Sequence, residues 1–158
     1  MSIEKATECL RRFGLEDRIK IFSVSSATVP LAAKALGCEE GRIAKTLSFS
    51  DGDGAVLIVC AGDAKIDNRK YKDTFSKKPK MLDAEAAESI VGHAVGGVCP
   101  FGVNEGVKIF LDRSLLRFDK VYPAAGNASS AVELSVKELE FASGSLGYVD
   151  VTRLPNDD

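Results

Sequence analysis

The sequence predicts an α+β fold in one domain over residues 1–158, a mixed, strongly curved, barrel-like sheet of about six or seven short strands with helices around it. Three observations carry this. Strand-like and helix-like runs follow one another in no regular strand–helix–strand rhythm, which argues against a doubly wound parallel sheet. Residues 43–61 read as a hairpin, two β-rich runs joined by Asp51-Gly52-Asp53-Gly54. Cap signals at Ser2, Thr28, Asp83 and Ser135 punctuate the chain, and no stretch rich in Gly, Ser or Pro splits it.

Ser2 opens a helix whose apolar positions Ile3, Ala6, Leu10 and Phe13 share a face, and Gly14 ends it. Ile19, Ile21, Phe22 and Val24 form a short strand. Thr28 caps a second helix with Pro30 in its first turn and Gly37 at its end. In the hairpin, side chains alternate, so Ile43, Lys45, Leu47 and Phe49 share one face and Ala44, Thr46, Ser48 and Ser50 the other. Lys45 therefore points to an apolar side. A buried unpaired ammonium is costly, so either Lys45 snorkels out at the strand end or that face opens on a pocket that holds an anion.

A short helix begins near Asp67, and another capped by Asp83 runs through Ala84, Ala87, Ile90 and Val91 to Gly92. Residues 107–112 form a strand with Asp112 capping the turn Arg113-Ser114-Leu115-Leu116, and 120–125 form a strand end or edge at Pro123. Gly126-Asn127 turns into a strand at 131–134. Ser135 and Glu138 have capping-box spacing for a last helix ending near Gly144, and residues 146–151 close the series before the polar tail 155–158.

A net charge of −2 gives no general attraction for polyanions, so any nucleic-acid contact must come from a local patch. Residues 65–80 supply one: Lys65, Arg69, Lys70, Lys72, Lys77, Lys78 and Lys80 against Asp67 and Asp73. Such a run serves equally as a solvated face. The scattered Cys9, Cys38, Cys60 and Cys99 form no C-x-x-C pair, and with His93 alone there is little to build a metal site or a Ser-His-Asp set from. His93, after a helix-ending glycine, reads as a surface or capping residue. Cys99 beside Pro100 reads as loop packing, with a nucleophilic thiol as the other option. No run is apolar enough to span a membrane and no secretory pattern stands at the start, so a cytosolic protein is expected.

Gly92 to Gly102 is the stretch best suited to a site, because Gly96 and Gly97 let main chain approach a ligand and Pro100 fixes the exit. A plain turn is the other reading. The order of features resembles the YbaK family, the prolyl-tRNA-synthetase-associated editing domain. The matching pieces are Ala-Ala-Lys-Ala-Leu-Gly at 32–37, Ile-Ala-Lys-Thr-Leu at 43–47, Gly-Gly-Val-Cys-Pro-Phe-Gly at 96–102, Leu-Asp at 111–112, Ala-Gly-Asn at 125–127 and Leu-Ser-Val-Lys-Glu-Leu at 134–139. Many relatives carry serine where Asn127 stands.

The resemblance implies a trans-acting aminoacyl-tRNA hydrolase that removes a small misattached residue (Ala, Ser, Cys or Thr), with tRNA-Pro or a related tRNA as carrier. It implies Lys45 as the essential pocket residue and Gly97 beside it as catalytic, with Gly96, Val98, Cys99, Pro100, Phe101, Gly102, Thr28, Asp112, Gly126 and Asn127 as candidate substrate contacts. Main-chain N–H groups near Gly97 and Val98 are expected to face the ester carbonyl. Lys65, Arg69, Lys70 and Lys72 are candidate tRNA contacts, a synthetase is a candidate partner, and neither metal nor cofactor is expected. The alternative is a non-catalytic module that binds tRNA or a nucleotide.

Overall fold

The computed structural model describes residues 2–94 and 96–155, with the side chain of Ser2 left aside. The predicted Ser2 cap and the end of the polar tail therefore lie outside the described residues. Among the described residues five helices flank the strands: α1 (Ser2–Arg11), α2 (Val29–Leu36), α3 (Asn68–Phe75), α4 (Ala84–Ala86, continued by a π-helical turn Ala87–Val91) and α5 (Val136–Ser143).

The strands are β1 (Ile19–Ile21), β2 (Ile43–Asp51), β3 (Gly54–Ala61), β4 (Lys65–Ile66), β5 (Lys108–Asp112), β6 (Lys120–Pro123), β7 (Ser130–Val132), β8 (Leu134–Ser135), β9 (Tyr148–Val149) and β10 (Thr152–Arg153). Six of them form one curled mixed sheet in the order β8-β6-β2-β3-β5-β9, while β1 pairs β7 and β4 pairs β10. The β2–β3 hairpin is its antiparallel spine, in register from Ala44 opposite Ala61 to Asp51 opposite Gly54, and β6 and β5 join its flanks in parallel.

Local chemistry sets the helix ends where the sequence placed them. The Thr28 hydroxyl accepts the Leu31 N–H, and Gly37 closes α2 at φ 69°. Asp67 and Asp83 cap α3 and α4. Ser135 and Glu138 make the reciprocal capping box, and Gly144 ends α5 in the left-handed region.

Both faces of the hairpin are covered. Ala44, Leu57, Val59 and Ala61 join the main core with Leu10, Phe101, Leu111 and Leu139, whereas Phe49, Val56, Ile58 and Cys60 pack under α3 against Tyr71. Three expectations fail at the margins. Phe13 is turned outward because α1 stops at Arg11. The strand near residue 19 ends at Ile21, and Ile21 and Val24 stay exposed because β1 pairs only with the short β7. The predicted strand 146–151 splits, because the Asp112 carboxylate captures the Val151 N–H at 2.9 Å between β9 and β10. Among the described residues, no helix is long and apolar enough to cross a membrane.

Candidate active site

The pairing along the outer edge of β2 has a gap, and the candidate site lies in it. β6 is in register only with Ile43 and Ala44, and further along Ser48 and Ser50 bond to Leu82 and Lys80. Between these two contacts a cavity of about 410 Å³ opens, lined by Lys45 and Thr46 of β2, by residues 26–29, by Gly96 and Val98, by Leu82 and Ala87, and by Tyr122, Ala124 and Ser130.

Lys45 is half-buried at the cavity wall, and its ammonium is not left unpaired. Nζ donates to the main-chain oxygens of Gly62, at 3.4 Å, and Ala64. Main-chain carbonyls at the end of β3 hold the charge beside the cavity. Two of its three N–H donors are used there, which leaves one for a ligand.

Next to it, Thr46 Oγ1 is shielded from solvent and has no hydrogen-bond partner among the described residues. Such a group costs about 1–3 kcal/mol when nothing satisfies it. Two other hydroxyls of the wall are engaged: Ser26 bonds to the Ala128 and Ser130 carbonyls, and Ser130 accepts the Ala125 N–H and donates to the Asn127 oxygen. Thr46 thus lines the cavity with its other atoms while its hydroxyl lies behind the wall with spare capacity.

Three loops close the far side. Ser26 N–H donates to Ala128 at 2.7 Å, and Gly97 lies flat on the Gly126–Asn127 backbone. A Cβ on Gly97 would stand 2.5 Å from Asn127 N and Cα, so a side chain at 97 would push two main chains apart. Gly96, at φ 92°, fits between the Ala27 and Ala128 methyls. The Gly97 N–H is occupied, donating to Ala94 at 3.0 Å, so the expected role of this N–H toward an ester carbonyl does not stand.

Of the predicted substrate contacts, Lys45, Thr28, Gly96 and Val98 line the cavity, and Gly97, Gly126 and Asn127 form the backing of its loops. Asn127 spends its side-chain oxygen on Ser129 N–H. The rest lie elsewhere. Cys99 and Phe101 are fully buried in the main core, Pro100 is buried beside them, and Gly102 sits on α1, where a Cβ would meet the Lys5 oxygen at 2.4 Å. Burial pushes the Cys99 thiol up to about 12, so it is no nucleophile at neutral pH.

His93 is also fully buried, not at the surface as its position after Gly92 suggested: Nε2 donates to the Phe101 oxygen at 2.7 Å, and Nδ1 has no partner among the described residues. Burial lowers its pKa, against the opposing effect of that carbonyl. Asp112 is wholly buried and fully engaged, accepting from Ser114 N–H, Val151 N–H and the Thr152 hydroxyl at 2.9, 2.9 and 2.7 Å.

The basic run is partly on the surface and partly committed. Lys65, Arg69 and Lys72 are exposed, whereas Lys70 bonds to Asp150 and the Thr152 oxygen. The fold adds cations from afar: Arg113 reaches the same Asp150, and Arg153 stands opposite Lys65 in the β4–β10 pair. Sequence reasoning missed Thr46, Ser26 and Ser130. The only signal for Thr46 was its place next to Lys45, and alternation assigned it to the opposite face, away from attention.

A family model described as "Aminoacyl-tRNA editing domain" matches residues 24–142. Protein YwhH of Bacillus subtilis is 44% identical over 154 residues, covering 97% of this chain and 98% of that one. EbsC of Enterococcus faecalis, whose name proposes a Cys-tRNA(Pro)/Cys-tRNA(Cys) deacylase, is 30% identical over 105 residues, 65% of this chain and 64% of that one. A crystal structure described as a proposed trans-editing enzyme for prolyl tRNA synthetase superposes with a TM-score of 0.86 at 27% identity, covering 96% of this chain and 97% of the other. With the glycine-backed cavity and its lysine already placed within the matched segment, the chain belongs to the aminoacyl-tRNA editing domain family.

Proposed function

We propose that this protein is a trans-acting deacylase that hydrolyses the ester between a small amino acid and the 3′ end of a mischarged tRNA, in the cytosol. The observation that carries the reading is a held ammonium, Lys45, on the wall of one small cavity that Gly96 also lines. The names of EbsC and of the trans-editing neighbour support the reaction class and point to tRNA-Pro as a carrier to test first.

In this scheme the free donor of Lys45 anchors a phosphate or ribose oxygen of the terminal nucleotide, and the amino acid lies in the cavity beside Thr46. Water adds to the ester carbonyl carbon, the bond to the ribose oxygen breaks, and that oxygen takes a proton, releasing amino acid and free tRNA. An aminoacyl ester is already activated, so positioning and charge stabilisation supply much of the acceleration. Gly96 and Gly97 keep the far wall low enough for the substrate. The wall excludes large side chains by overlap but separates residues one methylene apart by only about 1–3 kcal/mol.

The tRNA stem would lie on the cationic face of Lys65, Arg69, Lys70 and Lys72, joined by Arg113 and Arg153. Replacing Lys65 and Arg153 with glutamine should weaken tRNA binding and flatten its salt dependence by about two counterions in the slope. The direct test is multiple-turnover deacylation of tRNAs charged with alanine, serine, cysteine, threonine and proline, with wild type beside Lys45→Ala. Turnover of one or two small residues, lost in the variant, is the expected result. Stoichiometric binding without release would instead favour a module that holds the tRNA end, and activity retained by a folded Lys45→Ala would remove the lysine from the mechanism.

A further inference from the structure

We propose that Asp63 and Arg117 act as positioning residues that aim the Lys45 ammonium into the cavity. The proposal rests on the reading of Lys45 as the residue that meets substrate, and concerns what sets its direction. The two carbonyls that hold Nζ belong to Gly62 and Ala64, which flank Asp63 in one tight turn closed by Ala64 N–H to Ala61 oxygen at 3.0 Å. Wherever that turn sits, two of the ammonium's three donors follow, and the third is thereby aimed.

The turn is itself held from outside by the 3₁₀ segment Arg113–Arg117. Arg117 grips the Asp63 carboxylate with both terminal nitrogens, at 2.6 and 3.1 Å, and donates from Nε to the Ser114 oxygen at 3.0 Å. Its guanidinium stacks on Phe118, 4.8 Å from the ring centroid. The Ser114 hydroxyl accepts Ala61 N–H at 3.0 Å, a second attachment at the start of the same turn. On the inner side Gly62 packs closely on the chain at Glu40, where a Cβ would stand 2.2 Å from the Glu40 oxygen. The Arg117 guanidinium also keeps the Asp63 carboxyl below the usual carboxylate range, so the grip persists across neutral pH.

Stability alone gives little reason for this arrangement. The side chains of Arg117 and Asp63 keep 36% and 28% of their exposure, and pairs this open to solvent contribute little to folding. Geometry gives a reason: displacement of a reacting group by about 1 Å can cost two orders of magnitude in rate.

The experiment compares Asp63→Asn, Arg117→Gln and Arg117→Lys with wild type and with Asp51→Asn, which breaks the unrelated Lys77 pair. It measures kcat and KM for deacylation and, independently of activity, the ¹⁵N resonance of the Lys45 ammonium. Asp63→Asn and Arg117→Gln should lower kcat about tenfold or more with KM and unfolding midpoint nearly unchanged, and should move the Lys45 resonance. Arg117→Lys should recover part of kcat, and Asp51→Asn should change neither readout. An unmoved Lys45 resonance, or an unchanged kcat in Asp63→Asn, overturns the proposal. Full activity of Lys45→Ala would overturn the assigned role of the lysine instead, and the resonance would still report whether the clamp aims it.

Discussion

Two buried polar regions of this protein differ in one respect that separates structure from function. At the end of β5, Asp112 accepts three hydrogen bonds, one from Ser114 in its own turn and two from the distant segment Val151–Thr152, and so ties that segment to the end of the strand. At the gap in β2, Thr46 is shielded from water with its hydroxyl unspent, on the wall of the cavity. A polar group that is buried and satisfied stabilises the fold, and one that is buried and unsatisfied costs stability until a ligand completes it. The contrast teaches that the aspartate, which sits in a segment shared with the family, is a staple, and that the threonine is a cost the fold carries beside the cavity.

Four measurements test the contrast. Asp112→Ala should give the largest effect, orphaning Ser114 N–H, Val151 N–H and the Thr152 hydroxyl and lowering stability by about 3–5 kcal/mol in urea unfolding. A loss under about 1 kcal/mol would mean the staple is slack. Thr46→Val should do the opposite, leaving stability equal or higher, because the shape is kept and the unsatisfied hydroxyl is lost; a fall in deacylation of about tenfold alongside would show that the hydroxyl turns to the substrate. A variant that unfolds easily yet keeps full activity would reverse the assignment.

His93 provides an intermediate case, one ring nitrogen satisfied and the other not. Its folded pKa is lowered by burial, so the unfolded chain binds the proton more readily. The linked stability is complete above the ordinary value of 6.5 and is lost as pH falls through the lowered folded value. Unfolding midpoints between pH 7.5 and pH 5 should therefore decline in wild type and flatten in His93→Gln, and parallel curves would dismiss the residue as the cause. The smallest effect is expected at Cys99: iodoacetamide should label Cys9 and Cys38 in the folded protein, leave Cys99 unmodified, and leave deacylation intact.

Much of the fold was legible because its signals are local. Thr28, Asp83 and Ser135 do cap helices, a helix does begin beside Asp67, Gly37, Gly92 and Gly144 do end helices, and Asp51 to Gly54 does turn the hairpin. The site was legible in part. Lys45 was singled out because an ammonium on an apolar face demands an explanation, and Gly96 and Gly97 because adjacent glycines allow close approach. The second half of that loop misled: Cys99, Pro100, Phe101 and Gly102 continue the same motif, yet they turn into the core and onto α1. Sequence spacing carries no information on which way a loop turns once it has passed the cavity.

By itself, then, the sequence determined the caps, the turns, the alternation along β2 and the presence of a charge that had to be held, since each depends on residues within a few positions of one another. Only the tertiary structure decided what holds that charge and what surrounds it. The carbonyls of Gly62 and Ala64, the Arg117 grip on Asp63, the gap between β6 and residues 80–82, and the stacking of Gly97 on Gly126–Asn127 all join segments far apart in the chain. Their geometry follows from how the sheet curls and which strands part, which is settled by packing over the whole core and not by any local preference.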